Sequence, residues 1–222
     1  MTAYEAARLI DVSAVRTAHT LSDIEIVVNV AKKYGFINVH SLPCWTHTVS
    51  ELLKDEPNVY VGAPVGFPSG AHKTSTKILE AKELIADGVE EMDIVMNVGK
   101  FKNKEYDYVL NELNEIIALA PEKVLTKVII EMNCLTDEEL EKACQLVMQT
   151  KADFLKTGTG WVPGDANIPR IAKVKELTKG KIKVKAAGGI RTREEFDQLC
   201  ALGVERFGIN TNSALEIIQS FN

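Results

Sequence analysis

Two lysines stand where a parallel sheet wants apolar side chains. Lys156 lies in DFLKT and Lys185 in KVKAAGG, each near the end of a short apolar or β-branched run. Interior strands of parallel sheets are near-continuous apolar runs, and a lysine buried in one is costly unless it is paired or loses its proton. A strand-end lysine can also snorkel into solvent. Here, however, TGTG follows Lys156 and AAGG follows Lys185, and Gly-rich backbone lets a ligand approach closely. Lys181 and Lys183 belong to the opposite, exposed rim and receive no role. Asp93, in EMDIVMNV between Met92 and Ile94, is a carboxylate inside an apolar run and calls for a cationic partner. It reads either as half of a structural ion pair or as a proton relay with one of the lysines.

These residue types suit amine catalysis. A neutral lysine amine attacks a carbonyl to give a Schiff base, and a second cation nearby depresses its pKa so that a useful fraction is neutral near pH 7. The iminium then serves as an electron sink for making or breaking a carbon–carbon bond. On these grounds Lys156 and Lys185 are equal candidates for the nucleophile.

Three turns near the chain's end could hold an anion: the stretch through Gly160, the pair Gly188–Gly189, and Asn210-Thr211-Asn212. Backbone N–H groups of Gly188 and Gly189 are donors, and the Asn210 and Thr211 side chains can add to them. Barrel enzymes often bind phosphate with the loops after strands seven and eight. Arg191 reads equally as an assisting cation or as half of a surface ion pair.

The elements that must position these residues alternate along the whole chain. Period and turn residues predict strands at Ala7–Asp11, Ile37–Ser41, Val59–Phe67, Glu91–Val98, Lys127–Met132, Asp153–Thr157, Lys183–Ala187 and Glu205–Ile209. They predict helices at Leu21–Tyr34, Thr46–Lys54, His72–Asp87, Lys104–Ala120, Asp137–Gln149, Ile168–Thr178, Thr192–Ala201 and Ser213–Ser220. Thr136 and Glu139 form a capping-box pattern. Eight strands each followed by a helix imply right-handed βαβ units, hence a single-domain (β/α)8 TIM barrel over residues 1–222. A doubly wound open sheet is the alternative, weakened by the absence of GxGxxG at the first turn.

Composition narrows the function. The chain has 222 residues, short for a fold that typically takes about 250. Hydrophobic residues make up 45% and charged residues 26%, which excludes disorder as the main theme. A net charge of −5 argues against nucleic acid as a partner. No apolar run approaches a membrane span, and the first residues lack a signal-peptide pattern. Cys44, Cys134, Cys144 and Cys200 form no CxxC pair and read as reduced thiols of a cytoplasmic protein. The four histidines show no HxH or HExxH pattern, so no metal site is expected.

At these residues the chain resembles the deoxyribose-phosphate aldolases, Schiff-base-forming barrel enzymes. VGFPSG at 65–70, Lys77 and Glu80, DGVEEMDIVMNVG at 87–99, KVIIEMNCLTDEE at 127–139, ADFLKTGTGW at 152–161 and KVKAAGGIRT at 183–192 carry the resemblance. It implies Lys156 as the Schiff-base lysine, Lys185 as the second lysine that perturbs it, and Asp93 as the partner of Lys185. It implies reversible cleavage of 2-deoxyribose 5-phosphate to acetaldehyde and glyceraldehyde 3-phosphate, with no metal or organic cofactor. The expected partner is a small phosphorylated sugar. A homo-oligomer is compatible with the family type, though no exposed apolar stripe specifies one.

Departures fall in the substrate-reading shell. The family's first strand reads IDHT, and here only Asp11 of Ile10-Asp11-Val12-Ser13 is kept. The family's Cys-Val-Asn-Pro becomes Asn38-Val39-His40-Ser41, which brings a titratable His40 near the pocket. Gly158 replaces the serine of KTSTG, and Asn210 and Thr211 replace a serine pair. Two alternatives follow: a Schiff-base aldolase for another short sugar phosphate or sugar acid, and a non-catalytic sugar-phosphate-binding barrel.

Overall fold

The computed structural model describes residues 1–221. Eight parallel strands close into a barrel in sequence order, β1 (Ile10–Ala14), β2 (Asn38–Ser41), β3 (Tyr60–Val65), β4 (Glu91–Val95), β5 (Leu125–Ile129), β6 (Phe154–Lys156), β7 (Lys183–Ala187) and β8 (Arg206–Asn210). β1 pairs with both β2 and β8, so the open-sheet alternative is excluded. The helices are α1 (Ala3–Ala7), α2 (Leu21–Tyr34), α3 (Thr46–Leu53), α4 (Thr74–Ala86), α5 (Val98–Lys102), α6 (Tyr106–Ile117), α7 (Asp137–Val147), α8 (Ile168–Thr178), α9 (Arg193–Ala201) and α10 (Thr211–Gln219). Among the described residues, no helix is long and apolar enough to cross a membrane.

The expected first strand is the main correction. The stretch expected to open it, from Ala7, is instead the end of a short helix capped by Thr2 and Glu5, and the strand starts at Ile10. A reciprocal Thr–Glu cap satisfies two free helix donors, and that local gain outweighs a weak strand pattern. The expected strand Glu91–Val98 also ends early, because the Asn97 side chain accepts from Lys100 N and starts α5. Other boundaries move by a few residues. Thr136 and Glu139 form the predicted capping box at α7.

Period two divides each strand. Val12, Val39, Ile94, Val128, Leu155, Val184 and Phe207 are wholly buried and pack in the hydrophobic layer beneath the helices. The alternate residues point into the barrel, and most are polar. Asp11, Asn38, His40, Glu91, Asp93, Lys127, Lys156, Lys185 and Arg206 are all buried there. The barrel register sets them side by side, with Asp93 opposite Lys127, Lys156 opposite Lys185, and Lys185 opposite Arg206.

Candidate active site

The charged residues form one connected network. Lys156 Nζ donates to Asp93 Oδ2 at 2.7 Å, and Lys185 Nζ donates to the same oxygen at 2.7 Å. Lys185 also meets Asp11 at 2.5 Å. Lys127 reaches Glu91 at 2.5 Å and Asp93 Oδ1 at 3.1 Å. Arg206 bridges Asp11 at 2.7 Å and Glu91 at 3.1 Å. Four cations thus meet three carboxylates, and one positive charge is in excess.

The excess falls on Lys156. Lys185 contacts two carboxylates and Lys127 three, whereas Lys156 shares its single carboxylate oxygen with Lys185. Burial pushes the Lys156 amine down first; Asp93 opposes this, and Lys185 and Lys127 add to it, leaving the pKa at about 8 against an ordinary 10.5. Lys127 moves the other way, because its carboxylates outweigh burial. Asp93 and Asp11 stay well below the ordinary range despite burial, held there chiefly by Lys127 and Lys156 around Asp93 and by Lys185 and Arg206 around Asp11. Burial takes His40 down to about 3, more than Asp93 can offset, so its imidazole is neutral at pH 7.

Above the network opens a cavity of about 680 Å³. It lies at the C-terminal ends of the strands and is lined by Lys156, Lys185, Asp11, His40, Gly160, Gly188, Gly189, Asn210 and Thr211. Every sequence candidate therefore reaches the cavity wall except Asp93, which is fully buried beneath the two lysines. The three turns expected to hold an anion differ in what their side chains have free. Asn210 spends its amide on capping α10, accepting from Ser213 N and donating to Ser213 Oγ, each at 3.0 Å. Thr211 keeps a buried hydroxyl with no partner. Gly189 has φ +79, and a Cβ there would lie 2.3 Å from Ala166 N, so the next loop's backbone requires this glycine. Arg191 lines the cavity and also meets Asp165 at 3.4 Å.

Several site residues were not singled out from sequence. Lys127 is the middle residue of β5, Arg206 opens β8, and Glu91 opens the strand of Asp93. Their signal was available: Glu91 shares the inward phase of Asp93, and register places Lys127 beside Asp93 and Arg206 beside Lys185. Arg16 comes from the loop after β1, lines the cavity, donates to Gly160 O at 3.4 Å and lies over the Trp161 ring. No sequence period announces a loop residue of this kind. Glu131 accepts the Thr159 backbone N–H at 3.2 Å and its hydroxyl as well, which anchors the turn after β6.

No family model matches the chain. A deoxyribose-phosphate aldolase from Klebsiella pneumoniae is 39% identical over 220 residues, covering 98% of this chain and 88% of that relative. This chain belongs to the deoxyribose-phosphate aldolase family. The solved structure of the aldolase QR15 superposes with a TM-score of 0.91 at 35% identity, over 98% of this chain and 96% of that one. The deoxyribose-phosphate aldolase of Aeropyrum pernix, a tetramer, gives a TM-score of 0.90 at 26% identity over 99% and 92%. As a member of this aldolase family the protein is a carbon–carbon lyase, which sets aside the non-catalytic barrel.

Proposed function

We propose that this aldolase cleaves 2-deoxy-D-ribose 5-phosphate reversibly into acetaldehyde and D-glyceraldehyde 3-phosphate through a Schiff base on Lys156. The observation that carries the choice of lysine is the shared oxygen of Asp93. It leaves Lys156 the least neutralised cation of the network and the one whose amine is depressed to about 8. Lys156 attacks the C1 aldehyde, and loss of water from the adduct gives the iminium. The C3 hydroxyl gives up its proton, the C2–C3 bond breaks, and its electron pair moves into the iminium to form an enamine. C3 leaves as the aldehyde of glyceraldehyde 3-phosphate. Protonation at C2 and hydrolysis release acetaldehyde and restore the amine. Asp93 and Lys185 lie beside the nitrogen and relay these protons. Thr211, with the backbone N–H groups of Gly188 and Gly189, holds the phosphate at the N-terminus of α10. Asp11 braces Lys185 from below. The scheme uses neither metal nor organic cofactor.

Incubation with acetaldehyde and borohydride tests the mechanism: a reduced two-carbon adduct is expected on Lys156, and its absence there would sink it. A second reading keeps the Schiff base but assigns another short sugar phosphate or sugar acid. Two observations favour it: Asn210 is committed to its helix cap, and Arg16 adds a cation to the rim. Comparing deoxyribose 5-phosphate with deoxyribose separates the readings, since the first requires a strong preference for the phosphorylated sugar.

A further inference from the structure

Inside the barrel each charged side chain has a partner, but His40 does not. Its imidazole is 4% exposed, lines the cavity and makes no hydrogen bond at either ring nitrogen. Nε2 stands 3.7 Å from Asp93 Oδ2, beyond hydrogen-bond range, and that oxygen is already taken by Lys156 and Lys185. A Cβ at Gly62 on β3 would lie 2.5 Å from both His40 Nδ1 and Asn38 Oδ1, so the missing side chain makes room for the ring and its neighbour on β2 together. A buried polar group without a partner costs about 1–3 kcal/mol, and native proteins keep few of them. The neutral ring offers one donor and one acceptor.

One carboxylate oxygen separates His40 from Lys156. The imidazole therefore borders the first few carbons of any carbonyl compound that Lys156 holds. In the proposed scheme the oxygen at the cleaved bond faces Asp93 and Lys185. Phe67, the lining residue beyond β3, offers no hydrogen bond. Ser13 and Thr159 also line the cavity, but the Ser13 hydroxyl donates to Ile209 O and the Thr159 hydroxyl donates to Glu131 and accepts from Trp161 N, so the next hydroxyl along the substrate is left for the ring.

We infer that His40 is a specificity-determining residue that hydrogen-bonds the hydroxyl on the carbon next to the acceptor aldehyde's carbonyl. This inference rests on the Schiff-base reading above. It is tested in the aldol direction with acetaldehyde as donor, comparing D-glyceraldehyde 3-phosphate with 3-oxopropyl phosphate, which lacks that hydroxyl. The wild-type protein is expected to prefer the hydroxylated acceptor by about tenfold or more in kcat/KM. His40→Leu brings the ratio to within about twofold of unity while a borohydride-trapped adduct still forms on Lys156, and His40→Gln restores part of the preference. A full preference in folded His40→Leu overturns the inference. If that variant does not fold, His40→Phe, which keeps a ring in the same place without its nitrogens, replaces it, and an unchanged ratio there overturns the inference equally. Failure of the wild-type protein to form the adduct would remove the Schiff-base reading itself, a distinct result.

Discussion

The protein buries lysine in two different ways. Lys77 on α4 lies fully buried outside the barrel, where its Nζ donates to Glu112 at 2.6 Å and to Val95 O at 2.9 Å. Glu112 serves no other lysine and is steadied by the Thr74 hydroxyl at 3.0 Å. Lys156 has a comparably short contact, but its carboxylate oxygen is shared with Lys185 and the amine borders a cavity. Burial depresses both amines, so burial alone does not distinguish a structural lysine from a reactive one. The difference lies in the ratio of charges and in access. One carboxylate per lysine gives a closed structural pair, whereas cations in excess beside a cavity leave one amine ready to lose its proton.

Substitutions can break this contrast from either side. The largest effect is expected for Lys156→Ala, which should lose at least about a thousandfold in turnover along with the trapped adduct. Undiminished cleavage would end the assignment. Lys77→Met should act on stability instead. It leaves Glu112 buried without a cation, at a cost of about 3–5 kcal/mol read from the denaturation midpoint, while adduct formation on Lys156 persists. A trapped adduct lost in folded Lys77→Met would erase the distinction.

Lys185→Met should lower kcat/KM by about a hundredfold and move the pH midpoint of trapping upward. Removing Lys185 takes a like charge from Lys156 and frees Asp93 for it alone; both changes favour the ammonium. A downward shift would contradict the geometry. In the wild-type protein, an amine with pKa about 8 is neutral in roughly a tenth of molecules at pH 7. Trapping should therefore rise by about tenfold from about pH 6 to about pH 7 and level off above about pH 8. A rise that continues without levelling up to about pH 10 would show that the amine is not depressed.

Much of this was legible in the chain. Alternation of β-branched runs with amphipathic stretches predicted eight units and a barrel, and the structure has both. Lys156, Lys185 and Asp93 were visible because charge in an apolar strand is improbable without a use. Lys127 and Arg206 escaped because the strands expected from sequence begin at Lys127 and Glu205, which sets both charges at a strand start, where a charge ordinarily faces solvent; β5 in fact begins two residues before Lys127. Only the strand-to-strand register, set by closure, turns them inward. Residue types alone left Lys156 and Lys185 equivalent, since the distinction depends on which carboxylate each meets across the barrel. The helix at Ala3–Ala7 was hidden for a local reason: its reciprocal cap competes with a short strand pattern that carries little weight in five residues.

The barrel closes where its first and last strands pair, and Arg206 reaches Asp11 there across 195 positions of sequence. Asp11 in turn holds Lys185. An incomplete chain, such as one still being synthesised or one nicked before β8, cannot assemble this network however well its earlier units fold. Recovery of enzyme activity during refolding would then time the final seam of the barrel rather than the growth of secondary structure.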